Sequence, residues 1–327
     1  MSSTEFMLQL AKTLMSERKV AESTANAYIK VLLALNERKP FKNLTFLKAT
    51  DAVNKRIAEY AESTQRSILA AVVSVLSMFK DKPTFKKPYV HYYDEMMSRS
   101  RSVREEPKNE KSETQKTNWL SWEEVENHKT DLSEKVAKFA KSKILTPAEY
   151  DTLLQYVVLA LYSEVQPRRN QDYLDMYVTK KWNESMNDKN YLDLATKKFV
   201  FHKYKTAKKY GVQTEEVPEA LWNTLSIFLK HHPSWKVAAN RKAPVKLLVS
   251  HGDEPIVAVN AITRILNRIF GKKVGSSMLR HIYLSDKYGD TLADMKKDSA
   301  AMGHSLDVQR DYIKKDDSSQ SIDVPTM

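Results

Sequence analysis

The chain has 327 residues, 42% of them apolar, which suffices to bury a core and at this length points to two domains rather than one. Lys and Arg outnumber Asp and Glu by 53 to 41, and the net charge of +12 favours a polyanionic partner such as nucleic acid. The absence of cysteine excludes disulfides and thiolate metal sites, and the eight histidines show no paired ligand spacing, so neither a metal nor another cofactor is expected.

Residues 1–97 read as an all-helical domain. Phe6, Leu8, Leu10 and Leu14 open one helix, and Ser23-Thr24 stands where an N-cap would start a second, in which Tyr28, Val31, Leu32 and Leu35 repeat at helical spacing before Pro40. Ile57, Tyr60 and Ala61, then Ile68, Ala71, Val72, Val75, Leu76 and Phe79, give at least two more helices. Residues 98–118 change character: they are mixed in charge, Val103 is their single aliphatic residue, and they read as a flexible, solvated linker.

The second domain, residues 119–315, opens on Ser121 with Glu124 three residues on, a capping box. Thr146-Pro147-Ala148-Glu149 is a second helix start, and Tyr150–Val165 behind it is apolar nearly all round, the mark of a buried spine. This run holds the most apolar segment of the chain, Leu153–Tyr162, which falls far short of the roughly 20 residues that span a bilayer. The opening MSSTEFMLQL lacks a basic region ahead of an apolar one. The expectation is a soluble, intracellular protein, in the cytoplasm or nucleus of a host cell or in a bacterial nucleoid, with no membrane contact.

Met176–Thr179, Lys198–Tyr204 and Gln213–Pro218 cluster β-formers, with Asn187-Asp188-Lys189-Asn190 as turn chemistry between the first two, and predict a small antiparallel sheet. Trp222–Leu229 and Asn260–Phe270 supply two further helices. The latter carries Arg264 and Arg268 at i, i+4 away from its apolar side, and Lys272 and Lys273 follow, a basic face suited to phosphates. Residues 316–327 form a polar tail. The fold class that results is mainly α with a small antiparallel β-sheet: a helical first domain followed by an α+β second domain.

Four chemically distinct positions fall in register near the end of the chain: Arg280 within Leu279-Arg280-His281, the pair Gly303-His304, and Tyr312 eight residues after that histidine. This spacing resembles the second box of the tyrosine recombinase (phage integrase) family, which runs roughly His-x-Leu-Arg-His, then Leu-Gly-His, then a nucleophilic tyrosine. Upstream, Pro167-Arg168-Arg169-Asn170-Gln171-Asp172-Tyr173-Leu174 stands where the family's first box, Gly-x-Arg-x-x-Glu-Leu, would lie. Arg169 aligns with the box arginine and puts Asp172 at the acidic position, with Arg168 as the competing candidate. Tyr204-Lys205-Thr206 resembles the family's hairpin lysine; Lys205 is preferred, with Lys203, Lys208 and Lys209 as neighbours that can take its place. Ser23 to Tyr28 resembles the Ser/Thr-x-x-x-Tyr opening of the core-binding domain of these enzymes. The style of the boxes looks closer to integrases of eukaryotic mobile elements and large DNA viruses than to bacterial chromosome-dimer resolvases.

The resemblance implies a site-specific recombinase that cuts and rejoins DNA through a 3′-phosphotyrosyl intermediate, without metal or ATP. Arg169 and Arg280 would neutralise charge on the non-bridging oxygens, Lys205 would protonate the leaving 5′-oxygen, His304 would hydrogen-bond a phosphate oxygen, and Tyr312 would attack. His281 would brace its helix. The implied partners are double-stranded DNA and other copies of the chain, as a tetramer on DNA, with any accessory bending or directionality factor left open. DNA contacts would fall on Arg168, Lys203, Lys208, Arg264, Arg268, Lys272 and Lys273. One position departs from the pattern: Ser277 stands where the family usually has histidine, and a hydroxyl can hydrogen-bond phosphate but cannot act as an acid or base at neutral pH. A type IB topoisomerase or a telomere resolvase shares this chemistry, and a non-catalytic DNA-binding protein that kept the fold is the alternative from another class.

Overall fold

The computed structural model describes residues 2–105, 110–238 and 243–312, and the side chains within them except at 102–105, 236–238 and 310–312. It is mostly helical, and it divides into two compact units, Met1–Glu110 and Lys111–Met327. Among the described residues no helix is long and apolar enough to cross a membrane.

In the first unit α1 (Ser3–Glu17) starts on a reciprocal cap, Ser2 Oγ accepting from Glu5 N at 3.2 Å while Ser2 N donates to Glu5 Oε2 at 2.6 Å. α2 (Glu22–Leu35) begins earlier than the sequence suggests: Ala21 is its N-cap, and Ser23 and Thr24 fall inside its first turn without capping it. α3 (Thr50–Ala58), α4 (Glu62–Leu76) and α5 (Pro83–Glu105) follow. Leu14, Leu32, Leu47, Val72 and Leu76 lose all contact with solvent in the shared core, and Tyr92 of α5 donates its hydroxyl to Leu47 O at 2.9 Å.

The stretch read as a linker is helical at both ends. α5 runs on to Glu105, and α6 (Glu113–Asn118) starts on a Ser112–Gln115 capping box; residues 106–109 lie outside the described residues. A segment with a single aliphatic residue can still be helical when Arg, Glu, Lys and Gln, all good helix formers, supply it.

In the second unit α7 (Trp122–Ala137) and α8 (Pro147–Ser163) begin on the two caps expected, Ser121–Glu124 and Thr146–Glu149, with Pro147 in the first turn of α8. Leu153 and the run from Val157 to Tyr162 are fully buried, because α8 is wrapped by α7, α11 and α13. The order after α8 is α9 (Asn170–Leu174), β1 (Met176–Thr179), β2 (Asn190–Asp193), β3 (Lys198–Phe201), α10 (Ala207–Tyr210), β4 (Gln213–Glu216), α11 (Glu219–His231), α12 (Pro233–Ala238), β5 (Val245–Lys246), α13 (Val259–Phe270), α14 (Ser276–Met302) and α15 (Leu306–Tyr312).

The sheet is mixed, not antiparallel as expected. Its order is β4-β3-β2-β1-β5; β1 and β2 run parallel, and the other pairs are antiparallel. The difference arises at Asn190, which has turn chemistry locally but is the first residue of β2. Its buried side chain donates to Asp172 O (2.8 Å) and Lys203 O (2.9 Å) and accepts from His202 N (2.9 Å) and Lys203 N (2.7 Å). An amide with both donors and its oxygen satisfied can sit in a buried strand.

Candidate active site

Arg169 is the N-cap of α9, placed there by the extended Gln166-Pro167 segment that leaves α8. Arg280 hangs from the second turn of α14, its Nε donating to Ser276 O at 3.3 Å. A hydrogen-bonded chain ties the two elements together. The buried Tyr162 hydroxyl of α8 donates to Asn170 Oδ1 at 2.8 Å, and Asn170 Nδ2 donates to Val259 O (3.1 Å) and Thr263 Oγ1 (3.0 Å) of α13. Thr263 in turn lies against Gly275, the N-cap of α14, where an added Cβ would meet it at 3.4 Å. Burial pushes the Tyr162 phenol well above its ordinary pKa, with the Asp172 carboxylate adding to the rise, so it stays a neutral donor.

The result is an open cleft of about 290 Å³ into which Arg168, Arg169 and Arg280 all face, with Asp172 beneath them and Tyr204, Thr206 and Tyr210 on the β3–β4 side. The three cations are not equivalent. Arg168 is committed: Nε donates to Asp172 Oδ2 at 3.1 Å, Nη2 donates to Gln213 Oε1 at 3.0 Å, and the guanidinium lies 3.7 Å from the centre of the Phe201 ring. The Arg169 side chain makes no hydrogen bond or ion pair with any described residue. Burial lifts the Asp172 carboxyl above the usual carboxylate range even though Arg168 and Arg169 pull it down, and its Oδ1 has no hydrogen-bond partner among the described residues.

The remaining sequence candidates are dispersed. Lys203, Lys205 and Lys208 are exposed on the connection between β3 and β4; Lys205 sits between the cleft residues Tyr204 and Thr206 but does not itself line the cleft. Ser277 and His281 are exposed on α14. Arg268 pairs with Asp151 at 2.7 Å, Lys272 Nζ donates to Trp119 O at 3.2 Å, Lys273 N donates to Asn118 Oδ1 at 2.9 Å, and Arg264 is exposed.

His304 and Tyr312 are not brought to the arginines. α14 is continuous for 27 residues, Arg280 is in its second turn, and His304 follows the left-handed Gly303 (φ 73°) that ends it. At 1.5 Å per residue the axis from Arg280 to Met302 is ~33 Å long. His304 N donates to Ser299 O at 3.0 Å, and its ring meets Ser305 O at 3.3 Å. The backbone of Tyr312 closes α15, and its side chain, like the tail 316–327, lies outside the described residues.

The cleft residues outside the sequence candidates are Gln166, just ahead of the first box, and Tyr204, Thr206, Tyr210 and Gln213, within or next to the lysine-rich segment. The signal there was aromatic interleaving among the lysines. Among the described residues no three His, Cys, Asp or Glu side chains come together as a ligand set. Comparison with protein-family models, with curated proteins and with solved structures gives no match.

Proposed function

We propose that the chain is a DNA strand-breaking and rejoining enzyme of the tyrosine recombinase type. The observation that carries this reading is the meeting of Arg169 and Arg280 in one open cleft, with Arg169 making no ion pair to a described residue. Two guanidiniums aimed at one space are suited to a tetrahedral oxyanion with two non-bridging oxygens, as in a phosphodiester under attack. Arg168 and Asp172 form the floor that holds the box in shape. In the reaction the Tyr312 hydroxyl attacks phosphorus, loses its proton, and forms a 3′-phosphotyrosyl bond as the bond to the 5′-oxygen breaks. That oxygen takes a proton from Lys205, whose place between Tyr204 and Thr206 suits a group that reaches the cleft when DNA is bound. Attack by a second 5′-hydroxyl reverses the step, so rejoining needs no ATP.

A second reading, a non-catalytic DNA-binding protein, is favoured by one observation: within a single chain α14 holds His304 and Tyr312 away from the arginines. Trapping decides between the two. Nicked suicide duplexes, incubated in EDTA with the wild-type chain and with Tyr312→Phe, should give an SDS-resistant adduct only with the former. DNA that is bound but never joined to the wild-type chain would leave the non-catalytic reading standing.

A further inference from the structure

The general acid of the proposed reaction stands on a loop that the fold closes. Lys205 is exposed and makes no hydrogen bond or ion pair with a described residue, so the reach of its ammonium is set by the backbone beneath it. That backbone is pinned at both ends. On entry, Asn190 accepts from His202 N (2.9 Å) and Lys203 N (2.7 Å) and donates to Lys203 O (2.9 Å). The middle is a single helical turn, in which Ala207 N donates to Tyr204 O at 3.0 Å, Tyr210 N to Thr206 O at 3.2 Å and Gly211 N to Ala207 O at 2.9 Å. On exit, the Tyr204 hydroxyl donates to Gly211 O at 2.7 Å. Gly211 accepts it in a backbone conformation, φ 67° and ψ −157°, that is essentially confined to glycine.

The same tyrosine touches the floor of the cleft. Its ring centre lies 5.4 Å from the Arg168 guanidinium, which also stacks on Phe201 and donates to Gln213, the first residue of β4. Burial raises the Tyr204 pKa above that of a free phenol while Arg168 pulls it down, so the hydroxyl keeps its proton and remains a donor. We infer, on the phosphotyrosyl reading of the cleft, that Tyr204 is a positioning residue: by closing the loop 204–211 onto Gly211 O and resting on Arg168, it holds Lys205 in register with the phosphate that Arg169 and Arg280 bind. As the bond between phosphorus and the 5′-oxygen breaks, its electron pair goes to that oxygen, which takes a proton from the Lys205 ammonium and leaves a neutral amine. A displaced Lys205 slows that proton transfer and leaves phosphate binding as it is.

Changing the leaving atom tests it. Tyr204→Phe keeps the ring against Arg168 and removes only the hydroxyl. The wild-type adduct on suicide duplex locates the scissile phosphate, and a second duplex carries sulfur there in place of the bridging 5′-oxygen. A thiol is acidic enough to depart as its thiolate, so cleavage at sulfur needs no general acid. On the oxygen duplex Lys205→Ala should slow adduct formation by about 10²–10⁴-fold, and Tyr204→Phe by about ten- to a hundredfold. On the sulfur duplex both should match the wild-type rate. Arg169→Ala should stay slow on both duplexes, because it acts on the non-bridging oxygens. Tyr204→Phe at the wild-type rate on oxygen, or equally slow on oxygen and sulfur, overturns the positioning role and leaves the recombinase reading intact. Lys205→Ala equally slow on both removes Lys205 as the acid, and the role of Tyr204 with it, while the adduct chemistry stands. A wild-type chain that forms no Tyr312-dependent adduct overturns both readings.

Discussion

The Arg168 guanidinium lies over Phe201 and holds the carboxylate of a nearly inaccessible Asp172, while the Arg169 side chain next to it makes no bond to a described residue. Substituting the two should therefore give opposite phenotypes. Arg169→Ala should lower thermal stability far less than Arg168→Ala, since it touches Asp172 only through its charge, and slow covalent adduct formation on the order of a hundred- to a thousandfold, because a preorganised donor is lost. Arg168→Ala strands a buried carboxylate and should destabilise the second unit by about 3–5 kcal/mol. Arg168→Lys should rescue it only in part, since an ammonium cannot both stack and chelate. The pH dependence has a definite sign. Burial already raises the Asp172 pKa in the folded chain, and removing Arg168 raises it further. A carboxyl with a raised folded pKa binds its proton more tightly when folded, so its contribution is most favourable below the unfolded pKa and is lost as pH rises through the folded value. The stability deficit of Arg168→Ala relative to wild type should thus be smaller at pH 4 than at pH 7 in denaturant melts. A deficit that is constant across that range would show that Asp172 does not titrate in the variant.

At the scale of elements, Asn190 joins β2 to both arms of the site, bonding the carbonyl of Asp172 on one side and the backbone of His202 and Lys203 on the other. Asn190→Ala would leave these buried backbone groups without partners at about 1–3 kcal/mol each, a loss large enough to unfold the second unit or sharply lower its melting temperature. Asn190→Asp should be nearly as damaging, as a carboxylate cannot donate to Asp172 O and Lys203 O. A melting temperature within a few degrees of wild type for Asn190→Ala would mean that water replaces these bonds. Asn190 also shows where reading the sequence stops. Capping boxes at Ser121 and Thr146 and the all-apolar α8 were legible because a helix is written in residues a turn apart. The strand β2 was not, because Asn-Asp-Lys-Asn is turn chemistry locally and becomes strand only when partners far along the chain accept Asn190. The spacing of Arg280, His304 and Tyr312 was equally plain, but spacing says nothing of the path between them. Whether Gly289 bends α14 or is carried through it is decided by packing, and here it is carried through, with no atom within 4 Å of where its Cβ would be. Gly289→Ala should stiffen α14 by about 0.5–1 kcal/mol. If α14 acts as a straight helix the adduct yield should hold or rise, whereas a site that closes by bending at Gly289 should lose it.

For the whole molecule the relevant quantity is the net charge of +12, which neither the cleft nor the core requires. Several of the cations expected on DNA are occupied within the fold: Arg268 by Asp151, Arg168 by Asp172, and Lys272 by a backbone carbonyl. Others, among them Lys203, Lys205, Lys208 and Arg264, are exposed, as are Lys86 and Lys87 on α5 in the first unit. Charges of this kind bind a polyanion by displacing its condensed counterions, so affinity should fall steeply and log-linearly with salt. If about six to ten phosphates are neutralised, binding to a random-sequence duplex should weaken by roughly 10³–10⁵-fold between 50 and 200 mM salt, read by fluorescence anisotropy. Tyr312→Phe removes no charge and should reproduce the wild-type slope. Lys86→Glu with Lys87→Glu should reduce the slope if the first unit touches the backbone. An affinity that is flat with salt would remove nucleic acid as the partner and take the recombinase reading with it. A steep slope without any adduct would keep the partner and move the chain to the non-catalytic class, so the two measurements together separate what the molecule holds from what it does to it.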